Sequence, residues 1–370
     1  MNPSGGEASP GDSTGDTPGD STGDPTVSAP RVRRWWVPWL RGGLQLGVAA
    51  LLIEFLVLPK LTGSGRSLHL LFDVDGLWLP AAVVLELASL VAFAFATRTV
   101  LRAEVRPSLW TVVRIDLTTI GVSHTLPAGS ATGTALGIRL LNRAGVPIPD
   151  ASFAKIGQGV VAALILQVLL WIGAATAIQR RITDPVYLVG LGGGLALVVF
   201  VVVGVILLRW LREPIGHLLD HVTRRIPRVH DDGGSRFIAR LGTEVDLVLT
   251  QRQRLHGTAA WSLANWLFDS FALYTSLRAY GHGVGYGEVL LVFAIANTLN
   301  WIPITPGGLG LVEGAMIPLL IGLGTGQSVA VLGVLTWRLV SFWLPIPLGA
   351  VAYASLRWSW RRHGQPEPAG

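Results

Sequence analysis

The sequence predicts an all-α polytopic membrane protein: about eight full transmembrane helices plus two broken or re-entrant segments, arranged as an inverted repeat. Three observations predict it. Half of the 370 residues are hydrophobic and only 14% are charged, against about 25% charged in an ordinary soluble domain. Several apolar runs reach the roughly 18 residues needed to cross ~30 Å of hydrocarbon. Two apolar segments carry prolines and glycines for which a plain span has no use.

The elements follow in chain order. Residues 1–30 hold Glu7, Asp12, Asp16, Asp20 and Asp24 and no basic residue. Their repeat "GDSTGDTPGDSTGDPT" buries too little apolar area to offset ordering entropy, so a disordered acidic tail is expected. "RVRRWW" (31–36) places arginines and tryptophans at a cytoplasmic membrane interface. Apolar segments then lie near 42–59, 78–97, 109–126, 127–145, 151–178, 186–208, 258–280, 286–303, 305–324 and 328–356. The transmembrane domain is taken as 31–357, with a cytoplasmic tail over 358–370. The long connection 209–257 carries nine arginines against six acids and should be cytoplasmic by the positive-inside rule. If every segment crosses, the N-terminus, "RTVLRAEVR" (98–106), the basic loop and "RWSWRRH" (357–363) share that side. If only the fourth and ninth turn back, the nine-arginine loop lies outside, so the first arrangement is preferred. "QRR" (179–181) fits it least well.

Placing 126–145 over 305–324, an offset of 179, matches Pro127 with Pro306, Gly129 with Gly308 and Gly145 with Gly324. Leu140 and Leu141 fall on Leu319 and Leu320. Each copy follows one spanning segment and precedes a longer one, and the two begin on opposite sides. Paired interrupted segments of opposite direction mark an inverted-repeat transporter.

Chemistry is expected where polar groups sit at depth. The run Pro306, Gly307, Gly308 and Gly310 frees backbone groups that lipid cannot satisfy. Two readings are open: a cavity whose helix N-terminus attracts an anion, or a tight turn for close helix packing. Glu313, just beyond, caps that helix start or pairs with a buried arginine. Asp269 and Arg338 lie centrally in long spans, where charge is costly and usually functional. Arg139, Asp116, Arg114, Glu54 and Glu86 also fall within segments. Asn297 and Asn300 share a helix face leading into the break.

Other functions are disfavoured. The absence of cysteine excludes disulfides and thiolate chemistry. His217, His221 and His230 lack an acidic partner at metal-site spacing and read as a solvated loop. No phosphate-binding loop of the Walker type occurs, and no basic-aromatic patch suggests nucleic acid. Without the acidic tail the chain is +11, which suits anionic lipid.

At "PITPGGLGLVEGAM" (303–316) the chain resembles the membrane domain of the lysylphosphatidylglycerol synthase, or multiple peptide resistance factor, family, over roughly 36–357. "LPAGSATGTALGIRLLNRAG" (126–145) is similar to its earlier motif, with Arg139 at the arginine. "NWLFDSFALYTSLRAYG" (265–281) resembles its aspartate-bearing helix, with Asp269 in place, and Arg338 matches an arginine of the last helix. The resemblance implies a lipid flippase of the bacterial plasma membrane, with both termini cytoplasmic. Full-length members carry a soluble synthetase; this sequence stops thirteen residues after Arg357, so a stand-alone flippase is expected. The implied cargo is an anionic or aminoacylated lipid such as lysyl-phosphatidylglycerol. Arg139, Asp269, Pro306, Gly307, Gly308, Gly310, Glu313, Arg338, Asn300 and Asp116 are the candidate translocation residues. No catalytic residue, metal or cofactor is expected. A separate lipid synthetase and a second copy of the chain are candidate partners. Two other readings stand beside this one: a membrane enzyme acting on lipid or polyprenyl phosphate, and a non-transporting partner of a synthetase or glycosyltransferase.

Overall fold

The computed structural model describes residues 77–126, 129–177, 252–281, 285–300 and 306–363, with isolated positions between 192 and 203. The acidic tail, the segments near 42–59 and 186–208, Glu54, and residues 209–251 with their histidines lie outside the described residues. The eight remaining apolar segments are all helical. They comprise α1 (Trp78–Val100), α2 (Leu109–Thr125), α3 (Gly129–Arg143), α4 (Ile148–Ala177), α5 (Arg252–Arg278), α6 (Tyr286–Leu299), α7 (Leu311–Gly322), α8 (Gln327–Arg338) and α9 (Pro345–His363). The last apolar segment accounts for both α8 and α9, joined by a π turn over Leu339–Trp343.

Three helices among the described residues are long and apolar enough to cross a membrane: Trp78–Val100, Ile148–Thr176 and the α8–α9 rod, Gln327–Arg362. The distribution of side chains is that of a membrane protein. Glu86, Thr97, Asp116, Lys155, Gln158, Glu313 and Arg338 are buried, while Val84, Leu87, Val168, Trp171, Ile172 and Val351 are exposed. In water the apolar set would be drawn inward. Lipid removes that drive and leaves polar groups to find partners inside.

α2 (17 residues) and α3 (15 residues) form one hairpin, and α6 (14 residues) and α7 (12 residues) a second. At 1.5 Å per residue these helices are about 18–26 Å long, short of the ~30 Å hydrocarbon core. The eighth apolar segment, expected to reach 303, ends as a helix at Leu299. α5 starts six residues earlier than expected, at Arg252, because arginines at a membrane surface continue a helix as readily as they end one.

Glycine decides how the hairpins pack. Gly129, Gly133 and Gly137 recur every four residues on the buried face of α3. A Cβ at Gly129 would overlap the Ser123 carbonyl, and one at Gly133 the Ser123 hydroxyl, standing 2.9 Å from the Thr119 carbonyl oxygen. The α3 glycines thus serve close approach to α2.

The two segments aligned at an offset of 179 end alike. Val146 N–H donates to the Leu141 carbonyl (3.1 Å) and Thr325 N–H to the Leu320 carbonyl (2.9 Å), positions that correspond under the same offset. Gly145 (φ 91°) and Gly324 (φ 103°) take the left-handed conformation that such a Schellman cap needs. The offset also carries Ile148, the start of α4, onto Gln327, the start of α8.

Helix pairing follows the same rule. α1 and α5 pack antiparallel: Phe95 stacks on Trp261, and Asn265 donates to the Ser89 hydroxyl at 2.7 Å. α2 runs antiparallel to α9, where Gly121 faces Gly349 and Arg114 donates to Ser355 at 3.1 Å. α6 runs antiparallel to α4, where Gly173 meets the Leu291 backbone and Gln167 donates to Thr298 at 3.2 Å. The Pro306–Gly308 turn touches both α2 and α3, so the tips of the two hairpins meet.

Gly133→Val should destabilise the folded protein by about 1–3 kcal/mol through overpacking. Gly314→Ala, where an added Cβ meets nothing within 4 Å, should leave stability unchanged or raise it by up to ~1 kcal/mol. Thermal midpoints of the purified protein in detergent compare the two.

Candidate functional site

The broken segment after α6 is held by the backbone first. Gly307 (φ 54°) and Gly308 (φ 71°) sit in the left-handed region, which a side chain resists. Space closes the same positions: a Cβ at Gly307 would strike the Phe342 ring, and one at Gly308 the Asn300 side-chain oxygen. A cavity wall and a tight turn were alternatives for these glycines. The turn is tight, and its carbonyls and amides are used by buried side chains.

Glu313 does two jobs at once. Its Oε2 accepts the Gly310 N–H at 2.7 Å and so caps α7. Its Oε1 pairs with Arg338 Nε, both side chains being buried. Arg338 Nη2 donates to the Gly308 carbonyl at 3.2 Å. The rings of Trp337 and Phe342 lie 5.3 and 5.5 Å from the guanidinium carbon, within cation–π range. The helix N-terminus that the sequence offered to a ligand anion is therefore occupied by the chain's own carboxylate. A guanidinium has five N–H donors, and the described residues engage two of Arg338's.

The π turn explains how Arg338 is aimed. Pro345 has no N–H for the α-helical bond to Ser341, and Leu344 N–H bonds to Leu339 five residues back at 3.1 Å. The widened turn sets Phe342 under Gly307 and leaves its carbonyl for the His124 ring (Nδ1, 2.9 Å), which also stacks on Phe342 at 4.5 Å. The end of α2 is tied to the α8–α9 rod in this way.

Asp269 joins the same region from α5. Its Oδ1 accepts the Trp337 indole N–H at 2.7 Å, and Glu86 of α1 faces it. Of the residues singled out in the sequence, Gly307, Gly308, Gly310, Glu313, Arg338, Asn300 and Asp269 are thus gathered; Pro306 is in the same turn. Asn297 is spent on its own helix, donating to Phe293 at 3.0 Å.

Asp116 belongs elsewhere. It forms a buried ion pair with Lys155 of α4 and accepts the Thr97 hydroxyl at 2.7 Å. Gln158, one turn beyond Lys155, donates to the Phe93 carbonyl at 3.1 Å. Lys155 reaches Asp116 across Gly137, whose missing side chain makes the passage. Arg139 is exposed on α3, away from the buried charges. Lys155, Gln158, Thr97, Trp337 and His124 escaped the sequence reading. Lys155 lies near a segment start, where a lysine reads as snorkelling. The i, i+3 spacing of Lys155 and Gln158 was the available signal of a shared polar face.

With this geometry in hand, comparison decides the family. A family model of the lysylphosphatidylglycerol synthase TM region matches residues 44–349. The chain belongs to that family. It is 24% identical over 311 residues to a UPF0104 membrane protein of Pyrococcus horikoshii, covering 80% of this chain and 92% of the relative. A UPF0104 membrane protein of Methanothermobacter thermautotrophicus is 32% identical over 90 residues, which are 24% of this chain and 27% of the relative. The chain thus matches only about a quarter of that second relative's length. The Pro306–Arg338 core of the site lies wholly inside the region that defines the synthase TM family.

Removing either partner of the Glu313–Arg338 pair strands a buried charge, at a cost of about 3–5 kcal/mol. Glu313→Ala and Arg338→Ala should each destabilise by that order, and the double variant by clearly less than the sum. A double-mutant cycle on thermal unfolding reads the coupling. Independent, additive losses would show that the pair does not hold the turn.

Proposed function

We propose that this member of the synthase TM family moves a phospholipid between membrane leaflets, and that Arg338 receives the headgroup phosphate. The observation that carries the reading is a buried arginine, tied to a glycine-rich break, with donors that no described residue takes.

The ion pair suits an aminoacylated lipid in particular. Splitting a buried Arg–Glu pair costs several kcal/mol if either charge is left alone. A headgroup bearing both a phosphate and an ammonium compensates both, the phosphate on Arg338 and the ammonium on Glu313 or Asp269. A purely anionic lipid compensates only the arginine. Lysyl-phosphatidylglycerol is the specific cargo of this reading, and a separate lipid synthetase its source.

We read the two halves as an inverted repeat. Its support is the shared Schellman caps, the antiparallel packing of the equivalent helices α1 and α5, and the reciprocal pairs α2–α9 and α6–α4. α2–α3 and α6–α7 then act as re-entrant hairpins from opposite faces, meeting at their tips. A hairpin that leaves on the side it entered changes no loop's side. The basic loop, the 98–106 connection and the C-terminus stay together, on the cytoplasmic face of the plasma membrane. Arg98, Arg106 and Arg254 cluster at that rim, where burial first and the neighbouring arginines second lower the Arg106 pKa.

Transport is tested in liposomes. The purified protein should accelerate exposure of labelled lysyl-phosphatidylglycerol. Losing a charge-assisted contact worth ~1.5–3 kcal/mol in Arg338→Ala should slow it by about ten- to a hundredfold. Absence of acceleration with lysylated, anionic and polyprenyl-phosphate lipids alike would overturn the reading.

A further inference from the structure

Beside the Arg338 cluster stands a pair of acids that the ion pair does not use. Glu86 of α1 and Asp269 of α5 face each other across the antiparallel helix contact, close enough to hydrogen-bond. Glu86 is 3% exposed. Its Oε2 is buried and receives no donor from any described group. Asp269 has one donor, the Trp337 indole.

Among the described groups, donor bookkeeping points to a shared proton. Ionised carboxylates are acceptors only, so two of them cannot bond to each other; a single shared proton supplies the missing donor. It also removes the repulsion of two like charges held together out of water.

Among the described residues, the other charged groups facing this pair are few. Arg338 is the cation acting on Asp269, and it is already matched by Glu313. His124 of α2 stands beyond Phe342. Asp116 and Lys155 neutralise each other at the level of Thr97, about three turns along α1. Arg114 of α2 points to α9.

We propose that Glu86 and Asp269 form a proton-binding site serving the Arg338 cluster: it holds one shared proton at rest, takes up a second when an anionic headgroup engages Arg338, and releases that second proton when the headgroup leaves. This rests on the lipid reading above, for cargo whose headgroup is anionic overall; the ammonium of an aminoacylated headgroup, seated on Glu313 or Asp269, would take the place of the second proton. When a phosphate takes up the Arg338 charge, Asp269 loses its neighbouring cation, and the pair draws a proton from water. When the lipid departs, that proton returns to water. Only the proton moves, and its path to either face would link lipid movement to a pH gradient.

Infrared difference spectroscopy on the full-length protein in detergent tests the site without any transport assay. The carboxylic-acid C=O band should be present near neutral pH and be lost in both Glu86→Gln and Asp269→Asn, because an amide then supplies the donor. Both substitutions keep size and shape, and an unchanged gel-filtration profile checks folding. Dispersed phosphatidylglycerol should strengthen the wild-type band, and phosphatidylcholine, with no net charge, should not. In liposomes a one-unit pH gradient should shift the leaflet ratio of labelled phosphatidylglycerol about tenfold if one proton accompanies each lipid. A spectrum with no acid band sensitive to either substitution overturns the site. A band indifferent to phosphatidylglycerol, or a leaflet ratio indifferent to the gradient, overturns the link to lipid. A band that responds to phosphatidylglycerol in a protein that moves no lipid supports the site and overturns the transport reading instead.

Discussion

The Glu313–Arg338 pair is the interaction on which the rest of this site depends. A turn of left-handed glycines has no side chains of its own to hold it. Here the carbonyl of Gly308 is fixed by Arg338 and the amide of Gly310 by Glu313, and the two side chains fix each other. One ion pair therefore joins the broken hairpin to the long rod of α8 and α9. Desolvating two charges is expensive. The cost is offset by the backbone partners on both sides and by the aromatic faces of Trp337 and Phe342.

Close backbone approach is the second constraint. Without a hydrophobic drive between helices in lipid, packing relies on small residues that let backbones touch. Gly129, Gly133 and Gly137 on α3, Gly121 and Gly349 between α2 and α9, and Gly173 between α4 and α6 each stand where a Cβ would crowd or collide with the facing helix. The same absence of a side chain at Gly137 lets Lys155 through to Asp116. A packing device in one helix thus creates the route for an ion pair between two others.

Much of the frame was legible in the sequence, because apolar length and glycine punctuation are local properties. α1, α2 and α4 fall within three residues of their expected limits. The roles of individual charges were less legible. Glu313 was read as a cap or as an ion-pair partner, and is both, because its two oxygens can serve different neighbours. Asp116 looked like part of the same site as Arg338; its actual partner, Lys155, sits on another helix at a position that mimics an interface lysine. The hairpin lengths were misjudged for α6, since the apolar run continues past Leu299 after the helix has ended. Hydropathy measures what lipid tolerates, and says nothing about where a glycine turn begins.

Helix starts and caps correspond at the offset of 179, but the charges do not. The offset of 179 that carries α4 onto α8 takes Arg338 back to Gly159 and Glu313 back to Thr134. In the other direction it takes Asp116 to Ile295 and Lys155 to Val334. Each half has its own buried pair, placed on different helices. The two pairs also differ in their surroundings. Asp116 is held by Lys155 and the Thr97 hydroxyl, with Gln158 beside Thr97. Among the described residues Arg338 has donors that no group takes, and Glu86 Oε2 beside Asp269 receives no donor. On the reading proposed above, the Arg338 cluster is where a charged headgroup changes the balance. If the frame is the inverted repeat proposed above, this asymmetry of charge presents a different surface to each leaflet, which is what a carrier that treats its two faces unequally needs.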